Sequence, residues 1–167
     1  MGAASQQQSA SRFGYRGYVA SRAVRGTNFP QHVQNLVVRD YAARHGLHYL
    51  LSVTEYAMPS CYLMLNALLD ELPRLEGTVF FSLFMLPRAK ARRLEIFERV
   101  LARGCELHAA LENVALRRRD DIAALEDVLQ VAFTLPLLPL AGRYEKDENS
   151  REERARDPFW SVLERSL

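Results

Sequence analysis

The stretch Gly77-Thr78-Val79-Phe80-Phe81-Ser82-Leu83-Phe84 is apolar or aromatic at almost every position, with no alternation of polar residues. A strand with one wet face alternates. An unbroken run fits a strand covered on both faces, at the centre of a parallel sheet flanked by helices. The rest of the chain must then supply the covering helices and the neighbouring strands, and its hydrophobic period switches between the two repeatedly. Arg16–Ser21 reads as a first strand, and Pro30 is a favourable opening residue for a helix. In that helix Val33, Leu36, Val37 and Tyr41 are spaced to share one face, and Gly46 closes it. A second strand over His48–Val53 precedes a helix from about Pro59, with Cys61, Leu65, Leu68, Leu69 and Leu72 on one stripe and Pro73 at its end. After the central strand a helix from about Arg88 to Arg103 carries Leu94, Phe97, Val100 and Leu101 inward and its Arg and Glu residues outward, with Gly104 as its stop. Cys105–Leu111 reads as a fourth strand. Asp120 and Asp121 open a last helix whose inner face is Ile122, Leu125, Leu129, Ala132 and Phe133, and Pro136 and Pro139 close the body.

Four strand–helix alternations predict an α/β fold, a three-layer sandwich around a mostly parallel four-stranded sheet with right-handed crossovers. The 167 residues suit one such domain, placed at residues 13–140. Residues 1–12, rich in Ala, Ser and Gln, read as a disordered leader without the apolar centre of a secretory signal. Residues 141–167 read as a charged linker, with five basic and six acidic side chains in Arg143–Asp157, followed by a short amphipathic segment around Phe159 and Trp160. That last segment is the expected route to a homo-oligomer or a pathway partner. No apolar run approaches the ~20 residues of a membrane-spanning helix. Cys61 and Cys105 do not form a CxxC pair and sit in apolar segments, which suits reduced thiols in the cytoplasm. A net charge of +2 gives little electrostatic support for nucleic-acid binding.

In open parallel sheets ligands bind beyond the carboxyl ends of the strands. That rule selects Ser21, Arg22 and Arg25 after the first strand, Thr54, Glu55 and Tyr56 after the second, Ser82 and Arg88 around the third, and Glu112 and Asn113 after the fourth. Paired guanidiniums match the oxygens of a phosphate or carboxylate, so an anionic ligand is expected near Arg22 and Arg25, although arginines there could equally serve only as solvated surface. The loop has neither GxxxxGK[ST] nor GxGxxG, and no dinucleotide or other cofactor is expected. Gln31, His32, Gln34 and Asn35 bring neutral hydrogen-bonding groups to the start of the next helix, suited to a hydroxyl-rich ligand or, alternatively, to local backbone groups. Glu55 and Glu112 follow the second and fourth strands and could act as acid and base. His32, His45, His48 and His108 show neither the HxxxH nor the HExxH spacing that places two imidazoles on one metal, so no metal is expected.

Two resemblances add to this reading. Gly17-Tyr18-Val19-Ala20-Ser21-Arg22, Gln34-Asn35-Leu36 leading to Ala43-Arg44-His45-Gly46, and Leu68-Leu69-Asp70-Glu71-Leu72 before Val79-Phe80-Phe81 resemble the resolvase-type catalytic domain of serine recombinases. The resemblance implies a resolvase-like fold with Ser21 and Arg22 near the place of that family's nucleophilic serine. The chain departs from the family after the third strand, where Leu83-Phe84-Met85-Leu86-Pro87 stands in place of an Asp-Arg pair and only Arg88 is near. DNA strand transfer is therefore not the expected activity. Longer strings, Phe29–Leu36, Thr54–Met58 with Cys61–Leu65, and Phe81–Pro87, resemble the sporadic carbohydrate cluster protein family of small bacterial proteins. This implies a cytoplasmic role in lipopolysaccharide or exopolysaccharide synthesis. The combined expectation is a protein binding a phosphorylated or nucleotide-linked sugar, with Ser21 and Glu55 as candidate catalytic groups and Arg22, Arg25, Gln31, His32, Gln34, Asn35, Tyr56, Ser82, Arg88, Glu112 and Asn113 as candidate binding groups. The alternative is a non-catalytic scaffold of the same pathway.

Overall fold

A computed structural model describes residues 12–134. The expected leader to residue 11, the charged segment and the Phe159-Trp160 segment lie outside the described residues. The chain divides into two compact units, Met1–Val131 and Ala132–Leu167, and only three residues of the second are described.

The first unit is built on a five-stranded sheet in the order β2-β1-β3-β4-β5. Its strands are β1 (Tyr15–Ala20), β2 (Tyr49–Glu55), β3 (Gly77–Phe80), β4 (Glu106–Ala109) and β5 (Val114–Leu116). The first four are mutually parallel, and β5 returns antiparallel to β4. The sheet is therefore mixed and one strand wider than the sequence reading. The expected fourth strand, Cys105–Leu111, is in fact β4 running into a four-residue turn, Ala110–Asn113, where Asn113 takes φ +54°. Asn tolerates the left-handed region, which lets the chain reverse there. The apolar run at Gly77 is central as expected, but its strand stops at Phe80. Leu83–Met85 is a short 3-10 turn instead, because Ser82 accepts a bond from the Phe84 N–H and turns the chain.

Helices α1 (Gln31–Arg44), α2 (Leu63–Glu71), α3 (Lys90–Ala102) and α4 (Asp121–Thr134) connect and cover the strands. Side chains alternate across a strand, so Tyr15 of β1 faces one way and Arg16 and Tyr18 the other. Tyr15 stacks edge-on against His108, which also bonds Tyr41 of α1. Arg16 pairs with Glu71 of α2. Thus α1 covers one face and α2 the other, the layers of an α/β sandwich. The core on the α2 side centres on Tyr18, Phe80, Leu65, Leu68, Leu72, Ile96, Phe97 and Val100, all at most 1% exposed. Each such apolar side chain contributes about 1.5–3 kcal/mol by leaving water.

Two expected helix faces are rotated. In α1 the inward residues are Gln34, Val38, Tyr41 and Ala42, while Val33 and Leu36 are exposed. In α3 the inward set includes Arg93 with Ile96, Phe97 and Val100, so not every arginine there points outward. Helix α2 begins at Leu63, later than Pro59, because Ser60 takes φ +58° in the preceding turn.

Candidate active-site cleft at the strand ends

Beyond the carboxyl end of β1 the chain makes a tight hairpin. Val24 and Thr27 exchange both backbone hydrogen bonds, at 2.9 and 3.1 Å. The two residues between them, Arg25 and Gly26, have φ +51° and +81°, the signature of a type I′ turn. Glycine adopts that conformation without strain; arginine does not. The Arg25 guanidinium carbon lies 4.8 Å above the centre of the Phe84 ring.

The hairpin forms one wall of a 460 Å³ cleft lined by Val24, Arg25, Thr27, Phe29, Ser82, Phe84, Leu111 and Glu112. Its other walls are the residues that follow β3 and the β4–β5 turn. There Ser82 Oγ donates to Glu112 Oε1 at 2.7 Å and the Leu83 N–H donates to Glu112 Oε2 at 2.8 Å. The Glu112 carboxylate is thereby fixed in orientation, with one bond on each oxygen and a second lone pair on each left over.

The other candidates divide into separate groups. Ser21 is exposed, and its hydroxyl accepts from Gln31 Nε2 at 2.7 Å; His32 is exposed beside it on α1. Gln34 is fully buried: its amide accepts from the Ala20 N–H at 3.0 Å and donates to the carbonyls of Ala20 and Phe29, both at 2.8 Å. It completes the end of β1 as a neighbouring strand would, so the backbone-satisfying alternative holds for this residue. Asn35 donates to the Gln31 carbonyl within its own helix. Arg22 points away from the cleft, donating to the carbonyls of Cys61 at 2.6 Å and Met85 at 3.3 Å over the Tyr62 ring, and so joins the loops that follow β2 and β3. Arg88 is exposed and its carbonyl accepts from Arg93, Tyr56 is exposed, and Asn113 turns the chain.

Glu55 is fully buried. Its carboxylate accepts from the Tyr18 hydroxyl at 3.0 Å, the N–H groups of Tyr56, Met64 and Leu65 at 3.1–3.3 Å, and the Cys61 thiol at 3.6 Å. Met64 and Leu65 lie in the first turn of α2, where no local side chain caps the helix, so Glu55 supplies the cap from the neighbouring strand. Burial alone would raise its pKa, but the hydrogen bonds from Leu65, Tyr56, Met64 and Tyr18 outweigh it and hold the carboxyl below its usual value. A carboxylate so occupied is a weak base with no path to a substrate. The expected meeting of Glu55 and Glu112 as acid and base does not occur, since Glu55 lies under α2 and Glu112 lines the cleft.

A second polar cluster lies among residues that the strand-end rule does not select. His108 is fully buried, with Nε2 2.8 Å from Glu106 Oε2 and Nδ1 3.0 Å from the Tyr41 hydroxyl. A neutral ring with its proton on Nε2 satisfies both contacts, donating to the carboxylate and accepting from the phenol. Burial lowers the His108 pKa, against the opposing pull of Glu106. The Tyr15 hydroxyl donates to the same carboxylate at 3.1 Å, and burial, then Glu106, pushes its pKa up to about 12. The alternation Glu106-Leu107-His108 placed the acid and the imidazole on one face and was the available signal. Among the described residues no group of three or more His, Cys, Asp and Glu side chains could hold a metal ion. No described helix is long and apolar enough to cross a membrane.

No family model matches the chain, and no curated protein matches it. Solved structures do. A resolvase family site-specific recombinase from Streptococcus pneumoniae aligns over 86% of this chain and 99% of its own, with 11% identity and a TM-score of 0.53. The N-terminal catalytic domain of TP901-1 integrase aligns over 72% of this chain and 98% of its own, with 13% identity and a TM-score of 0.50. At such identities the likeness concerns the fold, and the fold of this chain is a resolvase-like α/β architecture with a mixed, mostly parallel sheet.

Proposed function

We propose that the protein binds a phosphate-bearing sugar, phosphorylated or nucleotide-linked, in the cleft at the carboxyl ends of β1, β3 and β4, and serves bacterial surface-carbohydrate biosynthesis as a cytoplasmic binding protein. The observation that carries the binding reading is the cleft itself, where one guanidinium, one oriented carboxylate and two phenylalanine rings line the same space. A cation suits phosphate, a carboxylate suits hydroxyl groups, and aromatic and aliphatic walls suit the C–H face of a ring. The pathway rests on the resemblance of Phe29–Leu36, Thr54–Met58 and Phe81–Pro87 to the sporadic carbohydrate cluster family. Binding without catalysis is favoured because Glu55 is committed to capping α2 and Ser21 has a neutral amide, not a base, as its hydrogen-bond partner. Thermal unfolding in the presence of hexose phosphates and nucleotide-linked hexoses tests the reading. A ligand at about 100 times its Kd adds about 2.7 kcal/mol, a rise in Tm of about 5–10 °C for a chain of this size. No rise with any of them removes the proposal.

A second reading, DNA strand transfer through Ser21, draws on the likeness to two recombinase structures and on the exposed hydroxyl just past β1. It requires a covalent protein–DNA adduct that survives denaturation and is absent from Ser21→Ala. The expected result is that no adduct forms, because Arg22 is bound to two loop carbonyls and turned from the hydroxyl's surroundings.

A further inference from the structure

The first central position of a type I′ turn favours Asn, Asp or Gly, yet here it holds Arg25 in the left-handed region at φ +51°. Strain of this kind persists where the surroundings hold it, and it clusters at ligand-gripping sites. Here the hairpin bonds of Val24 and Thr27 fix the backbone and the Phe84 ring supports the guanidinium, so the charge is presented at the cleft from a short, rigid arm. Across the same cleft, Ser82 and the Leu83 N–H hold the Glu112 carboxylate. No ion pair joins Arg25 to Glu112 among the described residues, so neither charge cancels the other by direct contact.

The cleft lining therefore holds one positive and one negative side chain, two hydroxyls and four apolar side chains. A nucleic-acid backbone gains its affinity from several neutralised phosphates, which a single cation does not provide. A diphosphate would likewise bring its second phosphoryl group toward Glu112 without a cation to meet it. A phosphate monoester, carrying about −1.5 to −2 at neutral pH, matches one guanidinium and leaves the carboxylate for hydroxyl donors. Resting on the sugar-binding reading above, we infer that the ligand is a ring-bearing phosphate monoester, with its phosphate on Arg25, ring hydroxyls on Glu112 and ring C–H face against Phe29 and Leu111. Arg25 is then the residue that sets specificity for one phosphate over two.

Calorimetric titration of the full chain with a hexose 1-phosphate, inorganic phosphate, the unphosphorylated hexose and a uridine-diphosphate hexose tests this, alongside Arg25→Asn, which removes the charge and suits the turn. The expected result is at least tenfold tighter binding of the hexose 1-phosphate than of each of the other three. Arg25→Asn should weaken that binding at least tenfold while its Tm stays level or rises, an outcome that a purely structural arginine would not give. Tighter binding of the diphosphate sugar, or an Arg25→Asn affinity within twofold of the parent, overturns the monoester inference and leaves the wider sugar reading in place. Binding of neither sugar phosphate overturns both.

Discussion

Arg93 carries its charge into the interior of the fold, where it is 2% exposed, and Glu126 meets it there at 6%. Two parallel bonds of 2.7 Å join the guanidinium to both carboxylate oxygens, and the remaining nitrogen donates to the carbonyls of Pro87 and Arg88. This single side chain thus fastens α3 to α4 and to the loop after β3 that also supplies Ser82 and Phe84. A buried pair adds little net stability against an apolar replacement of the same shape, but removing one partner leaves the other as an unpaired buried charge. Arg93→Ala should therefore lose about 3–5 kcal/mol in chemical denaturation, while the exposed Arg44→Ala, whose partner Asp40 is also exposed, should lose less than about 1 kcal/mol. Equal losses would contradict this account. Composition could not single out Arg93: Arg92, Arg93 and Arg99 of one helix all pair with an acid, but only the Arg93–Glu126 pair is buried, and that is decided by the packing of α4. The same limit applies to Glu55, legible as a residue at a strand end but not as a cap, because its partners Met64 and Leu65 lie on the next helix.

At the level of elements, α1 shows why hydrophobic spacing alone can mislead. Val33, Leu36 and Val37 form a helical stripe, yet Leu36 is 68% exposed and Gln34 is fully buried. The helix is turned because the end of β1 leaves the N–H and C=O of Ala20 in need of partners, and Gln34 meets both. An unpaired buried polar group costs about 1–3 kcal/mol, comparable to the gain from one apolar side chain, so a buried glutamine can win the inward position. Gln34→Leu should accordingly destabilise by about 2–4 kcal/mol despite being more hydrophobic, and Leu36→Gln should fall within about 0.5 kcal/mol of the parent. Urea midpoints of the two variants in the opposite order would show that the stripe, not the amide, sets the helix rotation. Strand β5 is not legible in the sequence for a related reason: three residues, Val114-Ala115-Leu116, carry too short a pattern, and their pairing with Leu107–Ala109 is a tertiary fact.

For the molecule as a whole, several groups depend on pH in the same direction. Burial lowers the His108 pKa from 6.5, so its neutral form stabilises the fold above that value and the contribution is lost as the pH falls through the lower folded value. Glu55 and Glu106 are held below 4.5 despite burial, by hydrogen bonds and, for Glu106, by His108 and Arg117, so their stabilisation is present above 4.5 and lost below it. Tyr15, Tyr41 and Cys105 are shifted upward by burial, which adds stability below 9.0–10.0 that is lost in strong alkali. Stability should form a plateau from 6.5 to 9.0, decline gently below 6.5 and steeply below 4.5, and His108→Gln should flatten the first decline only. Urea midpoints measured across that range check the profile, and a midpoint still rising below pH 6 would refute it. The sequence by itself determined the α/β class, the central strand and the alternation of strand and helix, because these follow from local period and turn chemistry. Only the tertiary structure decided that Arg25, Ser82 and Glu112 share a cleft while Arg22, Gln34 and Glu55 are spent on the scaffold, because where a polar group points depends on which backbone atoms, far away in the chain, lack a hydrogen-bond partner.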